Sequence, residues 1–251
     1  MALLDVQNLT KQFGGLTALE NVGFQVEYGE IRGLIGPNGA GKSTMFKIIA
    51  GFYAPTHGSI VYKGRSIGGL KPHSIAEMGV VRTFQETTLF QELTVFENAL
   101  VGAHIKARTN LFSAIFGFDK AKQKAAREKV EDVLEFMGLA DRRDQLASEL
   151  PLGSQRALAL SIALVSEPEL MLMDEPFAGM NPEETNHMMD LTRKVRDKGV
   201  TIVLVEHDMK AVMGLCSYLT VLNFGQVLAQ GTPDEVRNNE KVIEAYLGGA
   251  G

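Results

Sequence analysis

Short apolar runs interrupted by glycine turns dominate the first sixty positions of the chain. The segments LLDVQNL, ALENVGFQVE, EIRGLIG and GSIVYKG each predict a β-strand, and YGE and THG are typical of turns. After Lys42 the period changes, because Met45, Phe46 and Ile49 recur at helical spacing. The pattern therefore predicts a strand-rich beginning followed by a first helix.

Later apolar runs predict further, buried strands: GVVRTF (79–84), ELMLMD (169–174), VTIVLVE (200–206) and YLTVLN (218–223). Helical patterns separate them, which indicates a parallel sheet with crossover helices. Residues 86–165 contain no convincing strand, and one helix face there is marked by Ala126, Val130, Val133, Leu134 and Met137. We expect one α/β domain over residues 1–251, with a core of 1–85 and 166–251 and a helical subdomain of 86–165.

Composition narrows the class of protein. The chain has 251 residues and a net charge of −5, which argues against sequence-independent binding to nucleic acid. A single cysteine, Cys216, excludes a disulfide framework and fits a reducing compartment. The longest apolar run, ALALSIALV, is too short to cross a bilayer, and the N-terminus lacks a signal-peptide pattern. We therefore expect a soluble, cytoplasmic chain.

The segment GPNGAGKST follows a predicted strand and opens a predicted helix, the context of a phosphate-binding loop. Glycines let backbone N–H groups wrap a phosphate, Lys42 reaches the β/γ oxygens, and the Ser43 hydroxyl binds Mg²⁺. The alternative is a glycine-rich turn without a ligand. The predicted nucleotide-binding residues are Gly36, Pro37, Asn38, Gly39, Ala40, Gly41, Lys42, Ser43 and Thr44.

The predicted strand ELMLMD ends in the acid Asp174, and a second acid, Glu175, follows directly. Asp174 is placed to serve the Mg²⁺ shell, and Glu175 to polarise an attacking water. A buried strand ending in solvated acids is the alternative, and the phosphate-binding loop in the same chain weighs against it.

Four further motifs occur along the chain: VRTFQ after a predicted strand, LPLGSQR before a predicted helix, then FAGMNP, and VEHD after another predicted strand. With the motifs above, they make nearly the whole chain resemble the ATP-binding-cassette (ABC) ATPases. The resemblance implies a P-loop NTPase core, an N-terminal antiparallel β subdomain and an inserted helical subdomain. It implies that Gln85 assists at the Mg²⁺ site, that His207 is a catalytic switch residue and that Phe13 stacks on adenine.

The same resemblance gives LPLGSQR a role away from its own nucleotide. In this family the signature faces the ATP of a second ATPase subunit, which implies a dimer. The residues implied are Leu150, Gly153, Ser154 and Gln155. Pro151 stands where a serine would offer a hydroxyl to the γ-phosphate, and Ser154 replaces the usual glutamine, so we expect a weakened half-site.

Several stretches, among them FGGLTAL, RTFQETTLFQELTVFENALVGAH and the ending EAYLGG, resemble the LivG-type ATPases of branched-chain amino-acid importers. The likeness implies an ATP-hydrolysing subunit at the inner face of the cell membrane, with ATP and Mg²⁺ as cofactors. Two permease subunits, and indirectly a substrate-binding protein, would be partners, with the permease contacted by Leu89, Phe90 and Leu93. A soluble ABC ATPase for assembly or repair, or an importer of urea or amides, remains the alternative.

Overall fold

A computed structural model describes residues 2–83, 89–106 and 120–247. They group into two units. The first unit comprises Met1–Arg82, Glu169–Glu175 and Thr192–Gly251, and the second comprises Thr83–Pro168 and Pro176–Leu191.

This division differs from the one expected from the sequence, because residues 176–191 group with the helical unit rather than with the core. Packing explains the difference. The backbone at Gly179 approaches the Leu152 side chain, and the backbone at Gly153 approaches the Glu184 side chain. The segment after the Asp174–Glu175 strand end therefore belongs with the helix that follows LPLGSQR.

The described residues form ten strands, nine α-helices and two short 3₁₀ helices. The strands are β1 Ala2–Phe13, β2 Leu16–Glu27, β3 Ile31–Ile35, β4 His57–Tyr62, β5 Arg65–Ser66, β6 Val80–Arg82, β7 Leu170–Asp174, β8 Thr201–Val205, β9 Tyr218–Asn223 and β10 Gln226–Gly231. The α-helices are α1 Lys42–Ile49, α2 Pro72–Glu77, α3 Val95–Lys106, α4 Lys120–Phe136, α5 Leu152–Val165, α6 Pro182–Asp197, α7 Met209–Leu215, α8 Pro233–Arg237 and α9 Glu240–Leu247. The 3₁₀ turns are Ala140–Arg142 and Ala147–Glu149.

Two sheets build the first unit. One is a four-stranded antiparallel sheet in the order β2-β1-β4-β5, and the other has six strands in the order β10-β9-β3-β8-β7-β6. Strands β6, β7, β8, β3 and β9 run parallel, and β10 closes the sheet as an antiparallel hairpin with β9. Strands β3, β7 and β8 are buried throughout, as both faces of a parallel sheet require. The predicted α/β class is confirmed.

Helix α1 sits in the core of the first unit. Its Met45, Phe46 and Ile49 side chains are fully buried, together with side chains from both sheets. Because this helix begins directly after the predicted phosphate-binding loop, its packing fixes the position of that loop.

Helices α3, α4 and α5 belong to the second unit, together with residues 182–191 of α6. On α4 the predicted face holds, because Val130, Leu134 and Met137 are buried while Ala126 and Val133 are half-buried. A Cβ atom at Gly102 of α3 would lie 2.1 Å from the Ile162 carbonyl oxygen of α5, so only glycine permits this backbone contact. Among the described residues, every helix is too short or too polar to span a bilayer.

Candidate functional site

The turn between β3 and α1 depends on glycine. Gly36, Gly39 and Gly41 have φ angles of 149°, 79° and 103°, which other residues rarely adopt. A Cβ atom would lie 2.0 Å from the Leu222 carbonyl oxygen at Gly36, and 2.6 Å from the Leu19 side chain at Gly41. No side chain caps α1 within the part of the chain described. Its first N–H groups are therefore available to an anion.

Lys42, the first residue of α1, is held by its own loop. Its Nζ donates to the carbonyl oxygens of Gly36 at 2.7 Å and Pro37 at 3.0 Å, and the residue is 5% exposed. Burial lowers the Lys42 pKa, and the nearby Glu175 and Asp174 carboxylates partly oppose that shift. The ammonium group is thus anchored beside the loop before any ligand arrives.

Glu175 and His207 come from separate motifs and meet in the structure. His207 Nε2 lies 3.1 Å from Glu175 Oε1, and both side chains are partly exposed. Glu175 has a φ angle of 48°, a left-handed conformation that is uncommon for a side chain of this size. Its N–H donates to the Val205 carbonyl oxygen at 2.8 Å, so the neighbouring strand β8 holds this conformation. Such backbone strain is concentrated at functional sites.

Glu206 is a site residue that sequence reasoning missed. It is 5% exposed, and its carboxylate accepts hydrogen bonds from the backbone N–H groups of His207 at 2.9 Å and Asp208 at 3.3 Å. Asp208 in turn caps α7 by accepting from Lys210 and Ala211. Two acids flanking His207 at a strand end were the available signal. They fix the backbone on which His207 is carried.

One open cleft of about 510 Å³ collects most of these groups. Residues 38–44 of the loop, Glu175 and His207 line it. The start of β2 at 16–18 and the β9–β10 turn at Phe224 and Gly225 also line it. The cleft therefore joins a phosphate-sized anion site to a carboxylate–histidine pair.

Phe13, the predicted adenine-stacking residue, is not among the residues that line this cleft. Its ring is 40% exposed and packs edge-on against Tyr53, with centroids 5.1 Å apart, while the Lys11 ammonium lies 4.7 Å from the Phe13 ring centroid. Phe224, which sequence reasoning missed, lines the cleft and is 89% exposed. Stacking by Phe13 stays a prediction.

Asp174 lies at the end of β7 with its side chain fully buried. Its Oδ2 is 2.6 Å from Nη2 of Arg82, the last residue of β6. Its Oδ1 is buried and has no hydrogen-bond partner among the described residues. A buried carboxylate oxygen left open in this way fits a hard cation, and Mg²⁺ typically uses one or two protein oxygens with phosphate and water.

Ser43, the second predicted Mg²⁺ ligand, is exposed in the cleft. Gln85, the third, lies outside the described residues. No cluster of three or more His, Cys, Asp or Glu side chains that could bind a metal by themselves occurs in the described ranges. The residues present thus fit an ion held jointly with a bound nucleotide.

Comparisons with known proteins decide the family. Residues 19–178 match the ABC transporter family, and residues 226–251 match the branched-chain amino acid ATP-binding cassette transporter family. This chain belongs to the ABC transporter family. The "High-affinity branched-chain amino acid transport ATP-binding protein LivG" of Escherichia coli is 46% identical over 99% of this chain and 98% of its own. BraF of Pseudomonas aeruginosa, described in the same words, is 42% identical over the same shares.

Solved structures of ABC transporter cassettes have the same fold. The ADP conformation of one cassette matches with a TM-score of 0.88 and 32% identity over 99% of each chain. A nucleotide-free cassette matches with a TM-score of 0.87 and 31% identity, over 98% of this chain and 99% of its own. These likenesses confirm the ABC ATPase fold and the predicted class, an ATP-hydrolysing transporter subunit that binds nucleotide.

The predicted signature segment, LPLGSQR, leads into the start of α5 in the second unit. Pro151 is the N-cap residue, and within the described residues no side chain caps the helix. Leu150 is buried, and Gln155 Nε2 donates to the Leu150 carbonyl oxygen at 2.9 Å. Leu150 thus belongs to the interior and Gln155 bonds to its own loop, while the N–H groups at the start of α5 have no side-chain cap among the described residues.

The loop before α6 is fixed by its own side chains. The Asn181 amide oxygen accepts from the N–H groups of Glu183 and Glu184, each at 3.0 Å. The Glu184 carboxylate accepts from the Asn181 N–H at 3.0 Å. Asn181 therefore has a structural role as a helix cap, in a reciprocal arrangement typical of helix N-termini.

The three residues predicted to contact a permease differ in exposure. Leu89 is 7% exposed, Leu93 is half-buried and Phe90 is 53% exposed. The fully buried Asn98, another residue missed from the sequence, donates to the carbonyl oxygens of Phe90, Leu93 and Thr94, and accepts from the Phe90 N–H at 2.9 Å. Asn98 thus presents the Phe90 ring outward, whereas Leu89 belongs to the interior.

Proposed function

We propose that this chain is the ATP-hydrolysing subunit of an ABC importer for branched-chain amino acids, bound to the inner face of the cell membrane. The observation that carries the proposal is the carboxylate–histidine pair beside the phosphate-binding loop, with Glu175 and His207 at 3.1 Å. The substrate class rests on relatives that are 42–46% identical over nearly the whole chain and are named for branched-chain amino acid transport.

The chemistry follows from the groups in the cleft. The N–H groups of the loop and Lys42 bind the β- and γ-phosphates. The residues that would hold Mg²⁺ are Ser43 and Asp174, with Gln85 as a predicted third. When bound, Mg²⁺ neutralises the charge that develops on the phosphate oxygens. Glu175 accepts a proton from the attacking water, and His207, beside it, contacts the γ-phosphate.

The signature turn serves the ATP of a second ATPase subunit, so that two chains enclose each nucleotide. Two features support this role: an uncapped helix start in the second unit, and a complete set of phosphate-binding groups already present in the first unit. A dimeric cassette structure, 24% identical to this chain, shares the fold. The second subunit is either a copy of this chain or a related ATPase.

Two permease subunits complete the transporter, and the Phe90 ring docks on them. Its exposure, and the four hydrogen bonds between Asn98 and the surrounding backbone, support a rigid apolar contact. The substrate-binding protein acts on the permeases and does not touch this chain.

Glu175→Gln tests the chemistry. We expect ATP affinity to be retained and turnover in the assembled transporter to fall by about 10²- to 10⁴-fold, because general-base assistance is lost. Glu135→Gln, an exposed change on α4, is the matched control. Turnover that stays normal in Glu175→Gln would place the base elsewhere, with His207 the first candidate.

The substrate class needs a separate measurement. Vesicles carrying the transporter should accumulate labelled leucine, isoleucine or valine when ATP is supplied. Excess urea or acetamide should not compete for this uptake. Competition by urea or acetamide would support an importer of urea or amides. Absence of uptake of both amino acids and these compounds would support an ATPase that works without a permease.

A further inference from the structure

Arg82 is the last residue of β6 and forms the only ion pair of Asp174 among the described residues. The Nη2–Oδ2 distance is 2.6 Å, and the two side chains are 11% and 0% exposed. Strands β6 and β7 are parallel neighbours, with Arg82 opposite Leu172, so Arg82 reaches along the carboxyl edge of the sheet to the end of β7.

The pair leaves one oxygen of Asp174 unused. Within the described residues, which leave out 84–88, Asp174 Oδ1 and Arg82 Nε are both buried without a hydrogen-bond partner. An arginine can form two parallel bonds to a carboxylate, and this pair has a single one. The ion pair thus uses Oδ2 and leaves Oδ1 outside the contact with the guanidinium group.

The electrostatic surroundings of Asp174 are nearly balanced before any metal arrives. Arg82 pairs with it, Lys42 acts on it from the phosphate-binding loop, and Glu175 follows it in the chain. For a divalent cation at Oδ1, the two positive groups offset the attraction of the Asp174 and Glu175 carboxylates. At the short separations of this site, repulsion between like charges is substantial even at a high effective dielectric constant.

We propose that Arg82 is a positioning residue for the metal of the ATPase site: it holds Asp174 Oδ2, so that Oδ1 stays open to Mg²⁺, and its charge keeps metal binding weak. Arg82 therefore stabilises the metal-free chain and opposes retention of the ion. This inference rests on the proposed Mg²⁺-dependent function. It adds a residue outside the phosphate-binding loop and the Asp174–Glu175 motif.

The test compares metal binding with folding in the full chain. Mn²⁺, which also takes oxygen ligands, is the probe, and its binding to the chain saturated with ADP is followed by electron paramagnetic resonance. Melting temperatures in EDTA report the metal-free chain. The main variant is Arg82→Gln, which keeps an N–H donor for Oδ2 and removes the charge.

We expect Arg82→Gln to melt at a lower temperature in EDTA, since a buried carboxylate loses its cation. We also expect it to bind Mn²⁺ more tightly, by roughly threefold to tenfold. Arg82→Lys should keep Mn²⁺ affinity near that of the native chain. Arg32→Gln, which breaks another buried pair at 2.7 Å from Glu30, should lower the melting temperature without changing Mn²⁺ affinity.

Unchanged or weaker Mn²⁺ binding in a folded Arg82→Gln would overturn the inference. If that variant does not fold, Arg82→Met, which fills similar volume without charge, decides by the same titration. Native chain that binds ADP but no Mn²⁺ would instead contradict the proposed Mg²⁺-dependent function. Loss of ADP binding in EDTA by Arg82→Gln alone would show that Arg82 supports the nucleotide site directly, which also overturns the inference.

Discussion

Two helix starts in this molecule have uncapped N–H groups that can bind an anion, but they differ in the other groups placed around them. Helix α1 in the first unit and helix α5 in the second both begin without a side-chain cap. Before α1, three glycines with positive φ bend the chain, and the buried Lys42 adds a fixed cation. Before α5 the N-cap residue is Pro151, and the nearby glutamine side chain is turned back onto its own loop.

The difference concerns how much of an anion site one chain holds by itself. The first turn combines N–H groups, a positive charge and an adjacent carboxylate–histidine pair within one unit. In the second turn the first helical residue is Leu152 rather than a buried lysine, and the cation of the segment, Arg156, lies about one turn further along α5. In the proposed function the second turn adds to a site that another chain supplies, and the following predictions test that inequality.

Lys42→Ala should produce the largest effect. Loss of the buried ammonium removes charge-assisted bonds to the β- and γ-phosphates, each worth about 1.5–3 kcal/mol, so ATP affinity should fall at least about 100-fold. Equilibrium dialysis with the isolated chain measures this, with the exposed Lys194→Ala as control. Near-normal affinity would mean that the first turn holds ATP no better than the second.

Phe90→Arg should abolish the predicted permease contact of the second unit without affecting the nucleotide site. A charge placed in an apolar interface is costly, so co-purification with the permeases should be lost while ATP affinity stays native. Phe52→Arg, at a similarly exposed ring in the first unit, should leave co-purification intact. Leu89→Arg should instead reduce the melting temperature, because Leu89 is buried. Retained co-purification in Phe90→Arg would favour an ATPase without a permease.

Pro151→Ser should strengthen the weaker turn. A hydroxyl that reaches the γ-phosphate of the partner's ATP adds one hydrogen bond to a charged oxygen, worth at most about 1.5–3 kcal/mol. Turnover is measured in a mixed dimer of this chain with a different ATPase subunit. This chain also carries Glu175→Gln, so that the measured hydrolysis comes from the partner's site. ATP affinity of this chain should not change. If turnover does not rise, the N–H groups at Gly153 and Ser154 already suffice.

Gly102→Ala should have the smallest effect on nucleotide binding, because its effect is on the stability of the helical unit. The new methyl group would overlap the Ile162 carbonyl oxygen, and such overpacking typically costs about 1–3 kcal/mol. Urea denaturation followed by circular dichroism should show the loss, while ATP affinity of the isolated chain remains native. Gly15→Ala, where nothing lies within 4 Å, is the control. Equal stability of both variants would contradict the close crossing of α3 and α5.

Much of the fold could be predicted because its signals are local. The strand at Tyr218–Asn223 occupies the six residues that its apolar run indicates, and Val130, Leu134 and Met137 form the buried face that their spacing predicts. The glycine-rich loop could also be predicted from the sequence, because positive φ angles and close backbone packing require glycine at its turns. The grouping of residues 176–191 with the helical unit could not be predicted, because their packing against the start of α5 is not a local signal.

The sequence by itself determined the α/β class, the loop at Gly36–Thr44 and the acids Asp174 and Glu175, because strand period, glycine spacing and a strand's terminal carboxylates are properties of short segments. Only the tertiary structure decided that Arg82 pairs with Asp174, that His207 meets Glu175, and that Asn98 fixes the Phe90 loop. Those partners are 92, 32 and 8 residues apart in the chain. Strand order and burial select such partners. A buried polar or charged side chain that is not hydrated is stabilised by hydrogen bonds or ion pairs to the groups that the fold places beside it.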